Sequence, residues 1–141
     1  MRYFNVYGPR QEGNQYSGVI TKFINNSFYK RPLTIYGDGN QTRDFIYVTD
    51  VVEATMLALK KDVFGELFNI CTGRPTKIND LAIKIKDVSG TDLEIRYEEP
   101  RKGDIKDNYG DPTKSEGILG FRSKVRLEDG IEKLVQLHAR S

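Results

Sequence analysis

The chain has 141 residues, with 22 Lys and Arg against 20 Asp and Glu for a formal net charge of +2. That length suits one domain able to bury about two-thirds of its unfolded surface, and the scattered basic residues argue against nucleic acid, which is bound by clustered charge. A lone cysteine, Cys71, and a lone histidine, His138, exclude an intrachain disulfide and a conventional zinc site; with no apolar run near the ~18 residues of a membrane span and no signal peptide in the opening Met1-Arg2-Tyr3, a soluble, cytoplasmic protein with no membrane partner is expected.

Residues 2–7 alternate, with Phe4 and Val6 on one face and Tyr3, Asn5 and Tyr7 on the other, until Gly8-Pro9 ends the strand. A strand that opens at the second residue, with no turn or helix before it, predicts a chain cut in mid-fold. Residues 10–16 read as an exposed polar loop and Ser17 as the cap of a helix carrying Val19, Ile20, Phe23, Ile24 and Phe28 inward, stopping before Pro32. Residues 33–36 form a short strand, Gly37-Asp38-Gly39-Asn40 a turn whose glycines permit positive φ, and residues 44–48 a second strand.

Asp50 and Glu53 have the spacing of a capping box. Behind them Val51, Ala54 and Ala58 make one apolar stripe and Val52, Met56 and Leu59 another, which predicts a largely buried helix ending at Lys60 and Lys61. Gly65 turns the chain into a strand over residues 67–71. A further helix begins at Thr76 or Asn79, turns Ile78, Leu81, Ala82, Ile85 and Val88 inward, and stops at Gly90. Residues 93–97 read as an edge-like strand and 98–108 as a charged loop. Asp111-Pro112 opens a short helix that ends near residues 117–120, and Leu127, Ile131 and Leu134 carry the last one, with Glu128 and Asp129 in its first turn. Strands and helices alternate through most of the chain, which predicts an α/β fold.

No self-contained catalytic constellation appears. His138 reads as solvated surface, Cys71 as a small buried hydrophobe, and the pairs Glu98 and Glu99 or Asp104 and Asp107 as solvated loop carboxylates. Arg43 stands apart, because it follows a two-glycine turn and sits one residue before an apolar strand, where a planar fork of donors suits phosphate oxygens. The competing reading is an exposed arginine paired with a nearby carboxylate. Arg101, between Pro100 and Gly103, carries the same two readings. Asn5, at the carboxyl end of a strand, lies where ligands collect in open α/β sheets, or else ties down the loop that follows. Ile35 and Tyr36 offer a flat apolar surface for a base, or are simply core.

Taken in order, the segments RYFNVYGPRQ, YSGVITKFI, PLTIYGDGNQTRDFIYVTDVVEA, FNICTGRPTKINDLA, PRKGD, DPTKSEGILGF and LEDGIEKL resemble the C-terminal part of extended short-chain dehydrogenases. Within that family the likeness is to NAD-dependent nucleotide-sugar epimerases and dehydratases, and most of all to the UDP-glucose 4-epimerase branch. The resemblance implies a Rossmann-type α/β enzyme of which this chain is the nucleotide-sugar-binding region, residues 1–141, with strands and a helix that complete the cofactor sheet. The parent would interconvert UDP-glucose and UDP-galactose through a 4-keto intermediate, using NAD; dehydratase and decarboxylase relatives share the same motifs.

By the same resemblance Asn5 contacts the sugar nucleotide's phosphate, Tyr3 and Phe4 lie beside the nicotinamide, and Gly18, Val19 and Phe23 border the nucleotide. Thr34, Ile35 and Tyr36 flank the uracil, Arg43 and Arg101 hold the pyrophosphate, and Asp104 takes a ribose hydroxyl. The family's glycine-rich dinucleotide fingerprint and Tyr-x-x-x-Lys pair do not occur in this sequence. The chain alone is therefore expected to bind a UDP-sugar, to hold NAD weakly and to be catalytically inert, or else to act as a stand-alone nucleotide-binding module. The strands at residues 2–7 and 67–71 would keep exposed edges open to self-association.

Overall fold

The computed structural model describes residues 1–11 and 18–139. Ser17 and most of the expected loop over 10–16 lie outside them. The chain runs β1 (Arg2–Tyr3), β2 (Asn5–Tyr7), α1 (Val19–Phe28), β3 (Leu33–Tyr36), β4 (Thr42–Tyr47), α2 (Val48–Lys60), β5 (Asn69–Ile70), β6 (Pro75–Lys77), α3 (Ile78–Ser89), β7 (Ile95–Glu98), β8 (Asp107–Asn108), a π-helical turn (Ser115–Leu119) and α4 (Leu127–His138). The α/β alternation expected from the sequence is present.

The expected strand over 2–7 is two strands with different partners. β1 pairs in parallel with β5, and β2 pairs in parallel with β4, Asn5 opposite Phe45. The switch falls at Phe4, whose N–H still donates to Ile70 O while its carbonyl accepts from Val6 N–H at 2.9 Å, a three-residue turn that re-aims the chain. β4 is the hub. Its first half pairs with antiparallel β6 and parallel β8, and its second half with β2. β3 and β7 pair in parallel over four residues. Neither β6 nor β8 has an apolar alternation, so both are set by their pairing with β4; β8 falls within the span read as a charged loop, and β6 takes up Thr76 and Lys77, so the helix expected from Thr76 begins at Ile78.

Two cores flank this hub. One lies among α1, α3 and α4 and holds Tyr7, Ile20, Phe23, Leu33, Ile35 and Leu81; the other lies under α2 around Ile46, Ala54, Phe68, Ile70 and Phe121. The inward faces expected of α1, α3 and α4 are those buried. Phe28 alone turns out, 5.0 Å from the ring of His138.

α2 departs from expectation twice. It begins at Val48, so Asp50 is no cap; instead its buried carboxylate accepts from the backbone N–H groups of Lys124 and Val125, each at 3.1 Å, and Glu53 pairs with Lys124. Nor is the helix largely buried: Val51 and Ala58 pack on the second core, but Val52 is 56%, Met56 48% and Leu59 76% exposed. That stripe adjoins Met1 and exposed Tyr3, whose hydroxyl lies 3.3 Å from Thr55 Oγ1. Beside it, β1 and β5 make a two-stranded parallel pair without further strands among the described residues. Parallel sheets ordinarily have both faces covered. Among the described residues no helix is long and apolar enough to cross a membrane.

Candidate functional site

β2, β3, β4 and the start of α1 converge on a cavity of about 600 Å³. One wall is β3, where alternation turns Leu33 and Ile35 into the core and leaves Thr34 and Tyr36 half-buried. The opposite wall is the first turn of α1. Gly18 stands at its N-cap in extended backbone with no side-chain cap bond, and Val19 and Phe23 follow one turn apart. Asn5, placed at the end of the parallel pair by the switch at Phe4, lies between these walls, and Arg43, Arg101 and Asp104 close the rim. All ten residues expected to touch the nucleotide sugar thus line one space. Tyr3 and Phe4 do not: Tyr3 is 48% exposed on β1, and Phe4 packs where a Cβ on Gly110 would strike its ring.

The electrostatics of the rim are set by two arginines in different states. Arg43 lies within β4, since the strand starts at Thr42 rather than at residue 44. Its Nη1 donates to the carbonyls of Thr42 and Ile105, both at 2.7 Å, and its Nη2 to Asp104 Oδ1 at 2.5 Å. The paired-arginine reading therefore holds, though the side chain is only 14% exposed and its partner carboxylate belongs to the same rim. Among the described residues these bonds engage three of the five guanidinium donors, leaving two for an anion. Arg101 is instead exposed and stacks over the ring of Tyr36, its Cζ 3.9 Å from the centroid, held there by the attraction between the cation and the face of the ring.

The loop bearing Arg101 and Asp104 is fixed at both ends. Gly37 N–H donates to Glu98 O at 2.8 Å, and Thr42 contributes its N–H to Lys106 O and its hydroxyl to Asp107 Oδ1. Gly37 and Gly39 take φ of 80° and 73° in the turn between β3 and β4, conformations that favour glycine and bring Tyr36 and Arg43 to one rim.

Two residues that sequence reasoning passed over hold the site together. Asp44 is fully buried; Oδ1 accepts from Thr72 N–H and Oγ1 at 2.9 and 2.7 Å, and Oδ2 from Gly73 N–H at 2.8 Å and Gly110 N–H at 3.4 Å. Asn5 Nδ2 donates to the Asp44 carbonyl at 3.2 Å, so this amide ties β2 to β4 rather than to the loop that follows it. A carboxylate at the inward register of an apolar strand was the available signal. Gln41 also lines the cavity, with Nε2 donating to Tyr36 O at 2.7 Å; as a polar turn residue it carried no signal. Cys71 is buried, and desolvation, followed by the Asp44 carboxylate, pushes its thiol up to about 12, consistent with an inert hydrophobe. His138 is exposed and does not line the cavity.

The sequence profile of the NAD dependent epimerase/dehydratase family matches residues 1–71. Among solved structures, UDP-glucose 4-epimerase from Thermotoga maritima with UDP-glucose is 42% identical, with a TM-score of 0.95, over 99% of this chain and 45% of that one. UDP-glucuronic acid 4-epimerase from Bacillus cereus, in complex with UDP-glucuronic acid and NAD, is 33% identical with a TM-score of 0.90, over 99% and 44%. A curated relative, UDP-N-acetyl-alpha-D-glucosaminuronate decarboxylase from Bacillus cytotoxicus, is 35% identical over 96% of this chain and 44% of its own length. The chain spans less than half the length of each, and the likeness establishes a Rossmann-type α/β architecture of which it forms a part.

For the NAD that the family's description names, the residues present do not make a seat. Tyr3 and Phe4 offer only the end of β1, and no Gly-x-x-Gly-x-x-Gly turn occurs in the sequence to receive a pyrophosphate at a helix N-terminus. The expected arginines, asparagine and aromatic residue, by contrast, all line the one cavity. On its profile match over half the chain and its close structural likeness to UDP-sugar epimerases, this protein belongs to the NAD dependent epimerase/dehydratase family.

Proposed function

We propose that this chain is the nucleotide-sugar-binding part of an NAD-dependent UDP-sugar epimerase, most like UDP-glucose 4-epimerase. The observation that carries this reading is the convergence of Asn5, Tyr36, Arg43, Arg101 and Asp104 on one cavity of about 600 Å³, a volume within the usual range for small-ligand sites. In it, Arg43 and Arg101 take the diphosphate, Asp104 a ribose hydroxyl, Asn5 a phosphate oxygen, and Thr34, Ile35 and Tyr36 flank the base; Gly18, Val19 and Phe23 border the nucleotide from α1. Tyr3 and Phe4 would meet the nicotinamide from the β1 edge.

The chain's own residues bind and orient; among the described residues none is placed to move a hydride or to serve as the paired base, and residues 1–141 act as a binding region without turnover. The exposed stripe Val52, Met56 and Leu59 and the open β1 edge suit packing against the cofactor-binding half of such an enzyme, and self-association of the isolated chain through the same surface. A decarboxylase parent is the second reading, favoured by the 35% identity to the Bacillus cytotoxicus decarboxylase. Calorimetric titration with UDP-glucose, run beside an NAD-dependent epimerisation assay, tests the proposal. Saturable binding without turnover is expected; turnover by these 141 residues, or no binding, would overturn it.

A further inference from the structure

Gln41 occupies the corner between the aromatic wall and the arginines. It follows the glycine turn, lines the cavity and lies two residues before Arg43. Its Nε2 donates to Tyr36 O at 2.7 Å, and since only the nitrogen can donate to a carbonyl, this bond fixes which end of the amide is which. Its backbone carbonyl accepts from Ile78 N–H at 3.2 Å, holding the residue against the start of α3. The other end of the amide, Oε1, is then left buried with no hydrogen-bond partner among the described residues. A buried acceptor without a donor costs about 1–3 kcal/mol, and native proteins rarely leave one so unless something else supplies the donor.

We propose that Gln41 reads the nucleobase: Oε1 accepts the ring N–H of a pyrimidine bound against Ile35 and Tyr36. A lone acceptor cannot serve the diphosphate, whose oxygens it repels. Both ends of one amide are adjacent, so a donor that reaches Oε1 lies beside the carbonyl of Tyr36, at the end of the flat apolar wall. Uracil presents one ring N–H, at N3, in the plane of the ring; cytosine presents a bare acceptor at that position. Arg101, 3.9 Å over the Tyr36 ring, packs on the same residue, and its recruitment to the diphosphate clears that wall for the base.

This inference rests on the reading of the cavity as a pyrimidine-nucleotide site, and one set of titrations separates the two. UDP and N3-methyl-UDP are titrated into the wild-type chain and into Gln41→Met, with folding of the variant checked by circular dichroism. The wild type is expected to prefer UDP by about tenfold or more, and Gln41→Met to bind both with the same affinity. Equal affinities in the wild type, or a preference that survives in Gln41→Met, would overturn the role of Gln41 while leaving the cavity's function intact. The wild-type ratio stands as a test even if the variant fails to fold. Absence of UDP binding by the folded wild type would overturn both readings.

Discussion

Replacing Asp44 by Asn is the sharpest test of how the site is held. The change keeps the shape of the side chain and removes one acceptor. Whichever way the new amide turns, its single oxygen can serve either the Thr72 pair or the Gly73 and Gly110 pair, and its NH₂ then faces N–H donors. With the oxygen toward Thr72, the 2.8 Å bond from Gly73 and the longer one from Gly110 are lost inside a fully buried environment. A hydrogen bond to a charged group contributes about 1.5–3 kcal/mol, and a stranded buried donor adds a desolvation cost, so the expected loss is about 2–4 kcal/mol. Against a total of roughly 5–15 kcal/mol, and with a urea m-value of about 2 kcal/mol/M, the midpoint should fall by about 1–2 M. Urea denaturation followed by circular dichroism measures this. A midpoint unchanged within about 0.3 M would refute the claim that Asp44 ties β4 to the 72–73 and 110 segments.

Arg43→Ala should weaken UDP binding by about 1.5–3 kcal/mol, roughly 10- to 150-fold, in calorimetry; unchanged affinity would reduce Arg43 to a partner of Asp104. Tyr7→Phe removes a buried hydroxyl that has no partner among the described residues, so thermal unfolding should show stability equal to the wild type or raised by about 1 kcal/mol, and a clear loss would mean that the hydroxyl has an acceptor. Burial raises both the Tyr7 phenol and the Cys71 thiol, the latter to about 12 from 9.0. The unfolded thiol therefore ionises first, the unfolded state binds fewer protons between those values, and stability present below pH 9 is lost as pH rises toward 12. Cys71→Ala should flatten that alkaline decline, and native Cys71 should resist thiol reagents at pH 8 until denaturant is added. Met56→Lys and Leu59→Lys, on the exposed stripe of α2, should shift stability by less than about 0.5 kcal/mol while lowering any self-association seen by sedimentation; stability losses of several kcal/mol would mean that the stripe is packed.

Helical periodicity made α1, α3 and α4 legible to within a residue or two, because Ile20, Phe23 and Ile24, or Leu81, Ala82 and Ile85, have no other way to share a face. The α2 helix misled because a second apolar stripe predicts burial only if a neighbour exists to cover it, and sequence pattern does not say whether one does. Strand partnership was the other hidden quantity. Residues 2–7 alternate as one strand, yet pairing passes from β5 to β4 at Phe4, a tertiary choice that no local pattern records. β6 and β8 escaped notice for a related reason, being defined by the neighbour β4 and not by their own side chains.

The ten positions expected to face a nucleotide came from family motifs, and all ten line the one cavity. What those motifs did not convey was how the side chains are held: Arg43 bound to Asp104 and Ile105, Arg101 folded onto Tyr36, Asp44 buried within β4, and Gln41 bonded to the Tyr36 carbonyl.

In the proposed function this cavity holds the diphosphate of a UDP-sugar between Arg43 and Arg101. Calorimetric titration of UDP and of uridine into the same folded chain tests it most directly, because the two ligands share the base and ribose and differ in the diphosphate. UDP should bind at one site and at least about 100-fold more tightly than uridine, the equivalent of two charge-assisted contacts at about 1.5 kcal/mol each. Equal affinities, or no heat with either ligand, would contradict the account.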